Sequence, residues 1–210
     1  MNKEDILEAL KELRKSEKRK FDQTLDLIIN LKEFDIKRDS VSIFATIPHM
    51  IRKNKICAFL DKESTIFDKV ITKREMDVLT PKQIKKIVRN YDFCISLARL
   101  MPEIAKKFGR VLGPAGKMPD PKAGCVVMTE DDNTLNKLAK QLENEVKIKS
   151  KEPSLKIAIG KESMSDKDLA DNVEHVFNAV LVALPRRKEN LRSILLKFTM
   201  SKPVRIKLEK

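Results

Sequence analysis

Lys55-Ile-Cys-Ala-Phe-Leu60 is the stretch on which the architecture turns. A short, uninterrupted apolar run reads as a strand buried on both faces, as in a parallel sheet. Downstream of it, short apolar runs alternate with helical segments. Residues 63–70 are expected as a helix, 76–79 as a short strand, and 81–89 as a helix opened by Thr80 with Pro81 in its first turn. Residues 91–97 read as another strand, 101–107 as a helix, and 133–145, with Leu135, Leu138 and Leu142 at helical spacing, as a further helix. Strands alternating with helices predict a parallel, Rossmann-like α/β unit over residues 55–149.

On either side of that unit the pattern differs. Ile6, Leu7, Leu10 and Leu13 predict an amphipathic helix over 3–15, and the alternation in 41–47 predicts a strand that ends at Pro48. Residues 155–159 alternate as a strand that Gly160 is expected to break. Ser165, with Asp168 three residues on, opens a long helix over 166–184, and two strands are expected at 192–198 and 204–208. The predicted class is α+β. Residues 1–54 and 150–210 form a discontinuous, sandwich-like domain I, and 55–149 are inserted into it as domain II.

A chain of 210 residues has room for one large domain or two small ones. No run of about 18 apolar residues is present to span a membrane. The N-terminus is charged and amphipathic, unlike a signal peptide, so a cytoplasmic protein is expected. Cys57, Cys94 and Cys125 are far apart with mostly apolar neighbours and read as buried free thiols. His49 and His175 stand apart from them, so no metal-ligand spacing exists and neither metal nor cofactor is expected.

Charge is more informative. The chain carries 44 Lys and Arg against 31 Asp and Glu, a net +13, which favours a polyanionic partner. Residues 185–210 hold nine basic and two acidic residues and 14–20 hold five against one, so the excess is read as gathered near the two ends of the sequence.

The segment Phe108-Gly-Arg-Val-Leu-Gly-Pro-Ala-Gly-Lys-Met-Pro-Asp-Pro-Lys-Ala-Gly124 collects four of the five glycines and three of the nine prolines. No regular element is expected there. It reads either as a close backbone approach to a ligand or as a rigid structural loop. It is not a P-loop, because Val111 stands where the first glycine belongs and Met118 where the metal-binding hydroxyl belongs. Nor does a Gly-x-Gly-x-x-Gly follow the first strand, where Asp61-Lys-Glu63 stands instead. Gly113-Pro-Ala-Gly116 satisfies a KH-type Gly-x-x-Gly, a pattern too short to be specific. Asp131-Asp132 and Glu143-x-Glu145 are paired carboxylates expected at solvent-facing helix ends. With no nucleophile in a recognisable elbow, an enzyme is not indicated.

Leu112-Gly-Pro-Ala-Gly-Lys-Met-Pro119 resembles the signature of the universal large-subunit ribosomal protein one family, the L-one stalk proteins. Lys20-Phe-Asp-Gln-Thr24 with the following 29–35 resembles the family's N-terminal motif. Residues 164–172, ending Leu-Ala-Asp-Asn, resemble the opening of its long helix. Phe198-Thr-Met-Ser-Lys-Pro203 resembles its closing Thr-Met-Gly motif, in an archaeal or eukaryotic form. The resemblance implies a two-domain protein, a monomer outside the ribosome, whose domain I holds the large-subunit rRNA of the mobile stalk beside the exit site for deacylated tRNA. In many members the same surface binds a mimic in their own mRNA and represses translation.

Carried over, the RNA contacts are Lys20, Phe21, Thr24, Thr199, Met200 and Ser201. Hydroxyls suit 2′-hydroxyls, and Phe and Met suit base and sugar faces. The chain departs from the family at Ser201, which adds a side chain where the family has glycine, and at Met50, which replaces the glycine after the histidine. For Phe21 and Met200 the alternative is structural, as a staple against the following element and a plug at the domain edge. The rival reading of the whole chain is a nucleotide-binding protein or enzyme using the α/β unit.

Overall fold

The computed structural model describes residues 2–15, 17, 19–35, 38–39, 41–121, 124–150 and 152–207. Leu208, at the end of the last expected strand, and Lys18, Lys122 and Lys210 of the basic segments and the glycine-rich loop lie outside the described residues.

In chain order the elements are α1 (Lys3–Arg14), β1 (Thr24–Leu31), β2 (Ser42–Thr46), β3 (Ile56–Leu60), β4 (Lys69–Thr72), α2 (Lys73–Val78), α3 (Pro81–Asn90) and β5 (Phe93–Leu97). Then follow α4 (Met101–Ala115), β6 (Val126–Val127), α5 (Asp132–Glu143), β7 (Glu145–Lys149), β8 (Ser154–Lys161), α6 (Asp166–Ala183), β9 (Leu191–Phe198) and β10 (Val204–Ile206). The chain divides into two compact units, Met1–Ile51 with Asn144–Lys210, and Arg52–Glu143.

The first unit is built on an antiparallel sheet ordered β10-β9-β1-β8. Its central strand β1 alternates strictly, burying Leu25, Leu27, Ile29 and Leu31, while Thr24, Asp26, Ile28 and Asn30 stand on the other face. The apolar face joins α1 and α6 in one core, to which Ile6, Leu10, Leu13, Val173 and Val176 contribute. Each such side chain contributes roughly 1.5–3 kcal/mol by leaving water. A separate ladder, β2 with β7, runs antiparallel from Ser42↔Lys149 to Thr46↔Glu145, and its Ala45 and Ile148 belong to the same core.

In the second unit the sheet is parallel, ordered β4-β3-β5-β6. Every residue of β3 and β5 is buried, as a run covered on both faces requires. Cys57, Cys94 and Cys125 are buried thiols.

Several expectations are corrected. Residues 63–70 are not a helix: Asp68 accepts the Ile56 amide at 2.8 Å, and the β-branched run Val70-Ile-Thr72 pairs with β3 as edge strand β4. Residues 76–79 are not a strand, because a capping box of Thr72 and Glu75 opens α2 and Met76 turns inward. The glycine-rich segment is not devoid of regular structure. Ile104, Phe108 and Leu112, spaced by four, carry α4 through Gly109, Gly113 and Pro114 as far as Ala115. Gly116 then ends it with φ of 70°, a left-handed conformation open to glycine. Gly160 does not break β8 but lies inside it, and a Cβ there would meet Leu169 Cδ2 at 2.2 Å. Its glycine therefore permits the close approach of α6. Glu145 does not face solvent at a helix end; it is buried in β7.

Candidate nucleic-acid interface

Antiparallel pairing of β1 with β9 brings residues 21–24 and 199–201, from opposite ends of the sequence, to one end of the four-stranded sheet. The last register pair is Leu25↔Phe198, both buried. Beyond it Thr199 closes the ladder twice. Its amide donates to the Thr24 carbonyl at 3.1 Å, and its Oγ1 accepts the Thr24 amide at 3.2 Å. Phe21 is 51% exposed and Met200 61%. Neither is a core residue, although about half of Phe21 is covered by the protein. Lys20 is exposed beside them and Thr24 half-buried.

Ser201 is half-buried. Its hydroxyl accepts the Phe198 amide at 2.9 Å and closes the turn between β9 and β10. The backbone there has no positive φ, so serine fits where the family has glycine without strain. Met50 is exposed.

Sequence reading missed what holds this end of the sheet together. Gln23 is 1% exposed; its Oε1 accepts the Met200 amide and its Nε2 donates to Glu162, each at 3.1 Å. Asp22 accepts the amide and hydroxyl of Ser163 at 3.0 Å each, and Lys161 Nζ reaches Thr24 Oγ1 at 3.2 Å. Arg14, counted in the basic run, is occupied internally, with Asp166 at 2.6 Å and the carbonyls of Glu162 and Met164. The one available signal was the alternation of 24–31, which predicts β1 and would have put Gln23 at a strand start.

Between the end of α1, Arg19 and the β9–β10 turn lies a cleft of about 390 Å³ that Leu13, Gln23 and Met200 help to line. The open sheet face continues from it with Asn30 bridging Ser154 and Ser193 at 2.9 Å each. Asp26 sits on this face, its carboxyl pushed above the usual range by partial burial while Lys197 opposes the shift.

The motif residue Asn172 serves structure. Fully buried, it accepts the His49 amide and donates to the His49 carbonyl, both at 2.9 Å, and donates to the Ile159 carbonyl at 3.1 Å. Lys117 does likewise in the second unit, donating to the carbonyls of Val88 and Tyr91 at the end of α3. The glycine-rich segment is thus a helix end with a side-chain clasp.

Among the described residues the end of the first parallel strand does not build a dinucleotide site. Dinucleotide sites of parallel sheets use a helix N-terminus directly after the first strand. Here β3 runs instead into bends, with Asp61 paired to Arg99 and its amide donating to Glu130. Burial pushes the Cys57 thiol far up, so it is no nucleophile. Among the described residues no group of three or more His, Cys, Asp or Glu is placed to hold a metal ion, and no helix is long and apolar enough to cross a membrane.

An α+β fold with an aromatic, a thioether, hydroxyls and cations at one sheet end has the make-up of a binding protein. The chain belongs to the Ribosomal protein L1p/L10e family, whose profile matches residues 13–202. It is 34% identical to the large ribosomal subunit protein uL1 of Nanoarchaeum equitans, over 95% of this chain and 98% of that one. It is 33% identical to uL1 of Pyrococcus horikoshii (98% and 96% covered) and 34% identical to uL1 of Methanothermococcus thermolithotrophicus (98% and 99%).

Proposed function

We propose that this chain is a structural constituent of the large ribosomal subunit that holds the rRNA of the mobile stalk through its first unit, with Lys20, Phe21, Thr24, Thr199, Met200 and Ser201 as the contact surface. The observation that carries this is the exposure of Phe21 and Met200 on a sheet end whose backbone is fixed by Thr199 and Gln23. Rigid apolar groups among hydroxyls offer stacking and 2′-hydroxyl contacts, the means by which folded RNA is read. By the family resemblance the same protein assists release of deacylated tRNA at the exit site, and its RNA surface also takes a mimic of the stalk fold in its own mRNA. It works on the ribosome, in the cytoplasm, and is a monomer away from it.

The test is equilibrium titration of the full chain against a labelled stalk fragment of large-subunit rRNA over a series of salt concentrations, with labelled tRNA and a transcript of the 5′ end of its own message as further probes. Each phosphate neutralised contributes roughly 0.7–0.9 to the log–log slope. Tight binding to the rRNA fragment with a modest slope is expected. A slope near about ten would show that charge alone carries the affinity, and saturable binding of an ATP or NAD analogue without rRNA binding would restore the nucleotide reading.

A further inference from the structure

The second unit carries a cationic surface that the reading above does not use. Residues 52–143 hold 19 Lys and Arg against 12 Asp and Glu, so the positive excess is not confined to the ends of the sequence. It gathers on α3, Pro-Lys-Gln-Ile-Lys-Lys-Ile-Val-Arg-Asn, which contains no acidic residue. Lys82, Lys85, Lys86 and Arg89 are all exposed, while Ile84, Ile87 and Val88 are buried. At 3.6 residues per turn the four cations fall within an arc of about 100° on the face away from the core.

Five other surface cations of this unit are paired, Arg52 with Asp92, Lys53 with Glu143, Lys73 with Glu103, Arg99 with Asp61 and Lys107 with Asp77, and the remaining exposed ones are not gathered on one acid-free helix face as these four are. Among the described residues none of the four α3 cations has an ion-pair partner. Unneutralised like charges on one helix face repel one another at spacings of a turn, so the arrangement costs stability in the free protein and a bound polyanion relieves it.

We propose that this face of α3 is a second RNA-binding surface, one that takes the phosphate backbone of a double-stranded segment without reading its sequence. Lys82 to Arg89 spans about 10 Å of helix axis. An all-basic helix face in a chain of a ribosomal protein family is the electrostatic footprint of nucleic acid. No aromatic residue stands in α3 to stack on splayed bases, which disfavours a single strand. Three of the four are lysines, flexible point charges suited to phosphates rather than to base edges. The inference does not depend on the surface of the first unit.

The test uses the full chain and a 20-base-pair RNA duplex unrelated to ribosomal sequence. Substituting K82Q, K85Q, K86Q and R89Q together is expected to weaken duplex binding about tenfold or more at low salt and to lower the log–log salt slope by about 3, at 0.7–0.9 per phosphate. The doubles K82Q/K86Q and K85Q/R89Q should each lose part of that, and the charge-retaining triple K82R/K85R/K86R should lose none. A matched control, K62Q, R74Q, K137Q and K140Q, removes four exposed cations from the same unit and should change affinity less than twofold. An equal loss in the control, or no loss in the α3 variants, overturns the proposal. So does an equal loss of binding to poly-glutamate, which would assign the face to an acidic polypeptide.

Discussion

Replacing Phe21 by alanine separates the two roles open to an aromatic residue at the start of a strand. Its ring is 51% exposed, so only about half of its apolar surface is withdrawn from water by the protein itself. Full burial of a phenylalanine stabilises by roughly 1.5–3 kcal/mol, which sets the folding cost of Phe21→Ala near 1 kcal/mol. A base or sugar stacked on the ring contributes roughly 1–3 kcal/mol by alanine substitution, or about five- to 150-fold in affinity. Titration of the stalk rRNA fragment by anisotropy, alongside urea unfolding of the free protein, measures both quantities on one preparation. The RNA loss is expected to exceed the folding loss, and Met200→Ala, at 61% exposure, should behave the same way. If both variants lose more than about 2 kcal/mol of stability, as core truncations do, while the folded fraction binds RNA unchanged, the assignment of this surface is wrong.

Three further outcomes are expected. Asn172→Ala strands the His49 amide and two carbonyls inside the protein and should cost more than about 2 kcal/mol in urea unfolding, at 1–3 kcal/mol per unsatisfied group, with RNA affinity of the folded fraction intact. Lys117→Met removes the clasp on Val88 and Tyr91; it should destabilise the second unit by about 1.5–3 kcal/mol, the value of a charged hydrogen bond, without altering rRNA binding. Asp26 has its folded carboxyl raised by burial, so it binds its proton more tightly folded than unfolded and stability falls as pH rises from its ordinary value through the raised one. Asp26→Asn should therefore melt higher than the parent at pH 7 and together with it below about pH 3.8, the ordinary value.

The parts of the fold legible in the sequence are those in which one local signal dominates. Helix α6 announces itself through Ser165, whose hydroxyl accepts the Asp168 amide, and through a long apolar stripe. Strand β3 does so as an apolar run, and α3 through the Thr80 cap followed by Pro81. Reading failed where tertiary pairing overrules local preference. Residues 63–70 read as a helix, yet 69–72 pair with β3 as an edge strand, and β7 is polar enough to pass as the tail of α5 because its partner β2, about a hundred residues away, supplies the pairing. Gly160 shows the same limit in reverse. A glycine in a strand normally marks a break, and only the position of Leu169 reveals that its missing side chain is the space into which α6 packs.

The candidate site divides along a similar line. Exposed chemistry was readable, because Phe21 among polar neighbours and Met200 between two strands are poorly suited to a core. The groups that hold them were not, since Gln23 and Thr199 look like ordinary polar residues until the β1–β9 register places each against the other end of the chain. A buried amide satisfied on both sides fixes the Met200 backbone without contacting any ligand. Gln23 is in this sense a positioning residue, and Gln23→Leu should loosen the turn by leaving the Met200 amide and the Glu162 carboxylate without this partner. Separation in sequence has a consequence for the proposed site: because the first strand and the last motif complete one surface, that surface is formed only when the entire first unit has folded, and a chain truncated before β9 presents Phe21 without Thr199 beside it.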